Sequence, residues 1–159
     1  MNLSPMLASP VDFAKLRYPT WGSPKLDGIR AIVKDGKLLS RKLLPIPNLY
    51  IRSLLENKMY EGLDGELIIG EPMAKDVYLR TVSGVMRITG QPQFTYYVFD
   101  AHNDARAYRA RHAELKRRMA DLDKLQGKIS LLEQEPLTNK AELDFYEGLR
   151  IDAGYEGII

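Results

Sequence analysis

The sequence predicts a single α+β domain with mainly antiparallel sheets and flanking helices. Strand-like runs precede, interrupt and follow helical segments without the regular alternation of a parallel βαβ chain. An Asp35-Gly36 turn joins two short strand-like runs. At 159 residues and 45% hydrophobic content, the chain is long and apolar enough for one ordinary core spanning residues 1–159.

The elements follow in order. Ile29 to Lys34 and Lys37 to Arg41 read as strand, turn, strand, because Asp-Gly tolerates the positive φ values of a tight hairpin. Pro47, followed by Leu49, Leu54 and Leu55 among polar residues, predicts a short helix to about Lys58. Leu63 to Ile69 is a strand, and Gly70-Glu71-Pro72 breaks the chain after it. Phe94 to Phe99, aromatic and β-branched, is a buried strand ending at Asp100. From about Ala105 to Leu125 the apolar positions Tyr108, Leu115, Met119 and Leu122 share one face of an amphipathic helix. Asn139 with Glu142 resembles a capping box, Leu143, Tyr146 and Leu149 keep helical spacing, and Gly154 suits a left-handed cap. Tyr155 to Ile159 reads as a final strand.

Composition narrows the chemistry. The absence of cysteine excludes disulfides, thiolate metal sites and cysteine nucleophiles, and two histidines make a histidine-rich metal site improbable. Catalysis therefore falls to Lys, Arg, Asp, Glu or hydroxyls. A net charge of +2 does not by itself argue for nucleic acid. No apolar run reaches the roughly 18 residues of a membrane span, and Met1 to Pro10 lacks the charged and apolar regions of a secretory signal. The expectation is a soluble, intracellular protein with no membrane partner.

The strongest local signal is Lys25-Leu26-Asp27-Gly28-Ile29-Arg30, a lysine just ahead of a hairpin strand with a carboxylate, a glycine and an arginine close behind. A free lysine amine has a pKa of about 10.4, so nucleophilic use requires a nearby cation or desolvation. Arg30 and a bound metal ion are candidates for that role. For the hexapeptide alone, a surface lysine followed by Asp-Gly turn chemistry is an equally good account. Its companions decide between them: Ser40-Arg41, Asp64-Gly65-Glu66, Tyr97-Val98-Phe99-Asp100 and Glu156-Gly157-Ile158-Ile159 follow in that order.

In this order of motifs the chain resembles the covalent nucleotidyltransferase superfamily, most closely the small ATP-dependent DNA ligases of viruses and bacteriophages. The resemblance covers nearly the whole chain and implies an ATP-grasp-like adenylation domain. It implies that Lys25 attacks the α-phosphate of ATP to form lysyl-AMP, with pyrophosphate leaving. It assigns ribose contacts to Arg30 and Glu66, contacts near the sugar and the nick phosphate to Arg41, and adenine stacking to Phe99. Ile159 falls at the opposite face of the base, Ser23 at the purine edge, and Glu156 at the catalytic metal, Mg²⁺. The implied partners are ATP and nicked double-stranded DNA. A monomer is expected, cytoplasmic in a bacterial cell or phage-infected host, acting in DNA replication, repair and recombination.

These side chains suit such partners: an arginine fork matches phosphate and sugar oxygens, and a carboxylate accepts from ribose hydroxyls or holds a hard cation. Without the motif order, Phe99 would read as a core aromatic and Glu156 as a solvated carboxylate. Asp27 and Asp64 stay open between a role at the metal and turn chemistry. Arg109, Arg111, Lys116, Arg117 and Arg118 form a basic stretch that reads better as a solvated helix face than as a DNA contact. Thr81 to Arg87 resembles a loop of viral and phage ligases.

The resembled enzymes continue past this point with a strand carrying paired lysines and then an oligonucleotide-binding-fold domain. Neither is present, so the resemblance implies an adenylation domain truncated at its C-terminus. Lacking donors that stabilise charge on the α-phosphate by several kcal/mol each, such a piece is expected to adenylate weakly or not at all. The alternatives are an RNA ligase, an mRNA-capping guanylyltransferase, or a non-catalytic nucleotide- or DNA-binding fragment.

Overall fold

The computed structural model describes residues 5–122 and 128–159. The chain divides into two compact units, Leu26–Leu132 and the pairing of Met1–Lys25 with Glu133–Ile159.

The larger unit is built on a five-stranded sheet in the order β3-β2-β4-β5-β6. Its strands are β2 (Ile29–Lys34), β3 (Lys37–Ser40), β4 (Leu63–Ile69), β5 (Phe94–Ala101) and β6 (Ile129–Leu131). All pairs are antiparallel except β5 with β6. The β2–β3 hairpin closes as the sequence predicts, with Asp35 at φ 53° and Gly36 at φ 69°.

One face of the sheet carries Ala31, Val33, Leu63, Leu67, Phe94, Tyr96 and Val98. Helices cover it: Ile51 and Leu55 from α1 (Leu49–Leu55), Val85 from α2 (Val77–Val85), and Leu115 and Leu122 from α3 (Tyr108–Leu122). By strand alternation the other face receives Arg30, Glu66 and Tyr97. A single pattern of residues thus makes a packed face and a chemically equipped face.

The smaller unit pairs β1 (Thr20–Gly22) with β7 (Glu135–Leu137) and packs them on α4 (Lys140–Asp152). Asn139 caps α4 by accepting from the Glu142 N–H, and Gly154 follows its end at φ 98°. Gly22 packs closely: a Cβ would lie 2.7 Å from Leu137 Cδ1 and 3.2 Å from the Tyr146 ring, so those side chains would have to shift.

Three expectations are corrected. Thr81 to Val85 belongs to helix α2 rather than to a loop. Its β-branched residues and Gly84 weaken helix propensity, but Val77, Thr81 and Val85, four apart, bury one face, and Thr81 Oγ1 accepts from the Ile69 N–H at 3.0 Å. Tyr155 to Ile159 is no strand; it contributes one bridge, Pro24 with Ile158, since Pro24 has no N–H with which to extend a ladder. Helix α3 starts at Tyr108 rather than at Ala105, and residues 123–125 of the predicted helix lie outside the described residues. Strands β1, β6 and β7, three residues each, are too short for their periodicity to be read.

Candidate active site

Within the larger unit, Arg30, Glu66 and Phe99 come together on the face of the sheet opposite the helices. Arg30 on β2 is the register partner of Glu66 on β4. It donates in a fork to Asp64, Nε to Oδ1 at 3.0 Å and Nη2 to Oδ2 at 2.7 Å. Its guanidinium lies 5.4 Å from the centre of the Phe99 ring. Asp64, left open by the sequence, is therefore neither a turn residue nor idle. It is 5% exposed inside β4, and burial pushes its carboxyl above the ordinary range while Arg30 pulls it down.

Glu66 is pushed up to about 7, chiefly by burial, against the pull of Arg30 and of the neighbouring Gly28 N–H. Gly28 permits that approach. A Cβ there would stand 2.3 Å from the Leu67 carbonyl oxygen and 3.0 Å from Glu66 Cγ. The glycine of the hexapeptide thus serves close packing of backbone on β4, not a turn. Gly65 does the same between β4 and β5, where a Cβ would lie 2.4 Å from the Tyr97 carbonyl oxygen. Arg41 is exposed, directly after Ser40, whose ladder partner is Ala31.

In the smaller unit, Ser23, Lys25, Glu156 and Ile159 come together. Ser23 and Ile159 exchange backbone hydrogen bonds, Ser23 N–H to the Ile159 carbonyl at 2.8 Å and the reverse at 2.9 Å. The Lys25 N–H donates to the Gly157 carbonyl at 2.9 Å. These bonds set the lysine beside Glu156, and Lys25 Nζ lies 2.5 Å from Glu156 Oε2 with both side chains well exposed. Ser23 is buried and Ile159 is exposed. Among the described residues, no three His, Cys, Asp or Glu side chains converge as a ready-made metal cluster. A single half-exposed carboxylate such as Glu156 still suits Mg²⁺, which commonly takes one or two carboxylates and fills its shell with substrate phosphates and water.

Of the basic stretch on α3, Arg109, Lys116 and Arg117 are exposed, as a solvated face requires, while Arg111 and Arg118 are half-buried. Arg111 holds Asp100, Arg117 holds Glu114, and Arg118 donates to the carbonyls of Met59 and Glu61. No helix among the described residues is long and apolar enough to cross a membrane.

No family model and no curated protein sequence matches the chain. Solved structures do. Two structures of Chlorella virus DNA ligase-adenylate superpose with TM-score 0.80 at 29% and 31% identity, over 95% of this chain. The ligase domain of LigD from M. tuberculosis gives 0.62 at 23% identity over 99% of the chain. The ATP-dependent DNA ligase of bacteriophage T7, in complex with ATP, gives 0.61 at 16% identity over 87%. The chain spans 57%, 56%, 53% and 55% of these proteins respectively.

Proposed function

We propose that this chain, whose fold is that of the nucleotidyltransferase domain of ATP-dependent DNA ligases, forms a covalent lysyl-AMP on Lys25. The AMP then passes to the 5′-phosphate of nicked double-stranded DNA. The observation that carries the reading is Lys25 itself: it opens the Lys-x-Asp-Gly-x-Arg hexapeptide, and its amine is held beside Glu156.

In the first step the unprotonated Nζ attacks the α-phosphorus in line. A nitrogen–phosphorus bond forms, the bond to the β-phosphate oxygen breaks, pyrophosphate leaves, and the amine loses a proton. Glu156 Oε2 is the nearest acceptor for that proton's hydrogen bond. In the second step a 5′-phosphate oxygen displaces the lysine, which regains its proton as AMP is transferred. In the third, a 3′-hydroxyl attacks the activated phosphate, AMP leaves and the strand is sealed.

The remaining residues bind and orient. Phe99 supplies a stacking face for adenine, and Glu66 and Arg30 take the ribose hydroxyls, with Arg30 already fixed in direction by its fork to Asp64. Ser23 and Ile159 address the base edge and its second face, and Arg41 the sugar and nick phosphate. Glu156 would hold Mg²⁺, which when bound neutralises phosphate charge.

Incubation of the full gene-encoded protein with α-labelled ATP or GTP tests the reading. Label is expected to attach from ATP, to be lost in acid as a phosphoramidate, and to be discharged by nicked duplex DNA. Covalent label from GTP alone overturns the ligase assignment in favour of capping chemistry.

A further inference from the structure

Alternation along β5 puts Phe94, Tyr96 and Val98 into the core, and the next residue in phase is Asp100, a carboxylate that a core cannot accept. The ladder slips by one residue instead. Asp64 pairs with Asp100 but Gly65 pairs with Val98, so Phe99 is the extra residue of a β-bulge and Ala101 takes the core position. A bulged residue has no ladder partner of its own, and its direction is set by what holds its neighbours.

What holds Asp100 is Arg111, the fourth residue of α3. Arg111 Nε donates to Oδ1 at 2.7 Å and Nη2 to Oδ2 at 2.9 Å, with both side chains about one-fifth exposed. Its remaining nitrogen, Nη1, donates to the Arg106 carbonyl at 2.7 Å, and the guanidinium lies 5.5 Å from the Tyr108 ring centre. Asp100 Oδ1 also accepts from the Ala101 N–H at 2.8 Å. The fork is thus fixed at both ends, and α3 is anchored by the fully buried Leu115. Across the ladder, Asp64 is held in the same way by Arg30, the residue that lies over Phe99.

We infer that Arg111 is a positioning residue: through Asp100 it locks the bulge, and the bulge sets the plane of the Phe99 ring that receives the purine. The inference rests on the proposed role of Phe99 in nucleotide binding. It also accounts for one arginine of a basic helix that otherwise looks like a solvated face.

The test is a double-mutant cycle in the full gene-encoded protein, reading ATP dissociation constants and single-turnover lysyl-AMP formation at saturating ATP. Arg111→Met is expected to weaken ATP binding about tenfold, or about 1.4 kcal/mol, while the saturated single-turnover rate stays within roughly twofold. Combining it with Phe99→Leu should weaken binding no further than Phe99→Leu alone. Arg111→Lys keeps the charge without the fork, carries the same cycle where the Met variant does not fold, and should restore little of the affinity. Strictly additive losses, or wild-type ATP affinity in Arg111→Met, overturn the inference. Failure of the wild-type protein to bind ATP would instead overturn the proposed function.

Discussion

Arg30 and Asp64 form a forked ion pair between neighbouring strands, closed at 3.0 and 2.7 Å and largely withdrawn from water. The pair joins the first motif of the chain to the third. It fixes the direction of a guanidinium that would otherwise sweep a wide arc on the end of a flexible stem, and it does so beside Glu66 and Phe99. In the proposed function, fixing that direction before a nucleotide arrives would lower the entropy cost of binding.

Breaking this pair on one side should cost more than removing it. Arg30→Met leaves the Asp64 carboxylate buried and unpaired, an expected loss of about 3–5 kcal/mol in urea unfolding. Adding Asp64→Leu should recover most of it, giving a double variant that is folded but impaired in nucleotide binding. A double variant less stable than Arg30→Met would contradict the account.

Glu66 carries a pH signature. Its carboxyl is raised to about 7 in the folded protein from 4.5, so between those values the folded chain holds a proton that the unfolded chain has released. Stability from this group therefore falls as pH rises through that window. Glu66→Gln should stabilise the protein by about 3 kcal/mol at pH 8, with the difference vanishing below about pH 4.5. Denaturant midpoints across the range measure it.

Gly28 should tolerate no side chain. The Cβ of Gly28→Ala would meet the Leu67 carbonyl oxygen at 2.3 Å, a backbone atom that cannot swing aside. A loss of about 2 kcal/mol or more is expected. Gly36→Ala has open space around it, and its cost should come only from its positive φ, about 1 kcal/mol. Comparing the two melting temperatures separates crowding from backbone strain.

Asn48 should hold the segment after α2. Fully buried, it caps α1 by accepting from the Ile51 N–H, and its two Nδ2 hydrogens are shared among the carbonyls of Arg87 at 3.0 Å, Gly90 at 3.3 Å and Gly84 at 3.4 Å. Asn48→Ala is expected to cost about 2 kcal/mol. It should also raise amide exchange selectively in and around residues 84–90, which exchange mass spectrometry reads.

Much of the fold and site is legible in the sequence because local chemistry and tertiary environment agree. The Ile29–Lys34 and Leu63–Ile69 strands have the bounds that turn chemistry and patterning predict, and the second hairpin strand ends one residue early, at Ser40. Helix α2 is not legible, because its β-branched residues argue locally against the helix that burial of Val77, Thr81 and Val85 imposes. Asp64 beside Gly65 could be a turn pair on sequence alone. Only the fold shows its carboxylate, diagonal to Arg30 across the ladder, taking that residue's fork. The bulge does leave a trace, since period-two alternation from Phe94 lands on Asp100, and a charge on the core phase signals a slipped ladder.

The most direct measurement of the central claim is the mass of the full gene-encoded protein after incubation with ATP and Mg²⁺, for the wild type and for Lys25→Ala. The account predicts a gain of one AMP on the wild type, located at Lys25, with no gain and no nick sealing in the variant. An AMP adduct or sealing activity that survives Lys25→Ala would contradict it.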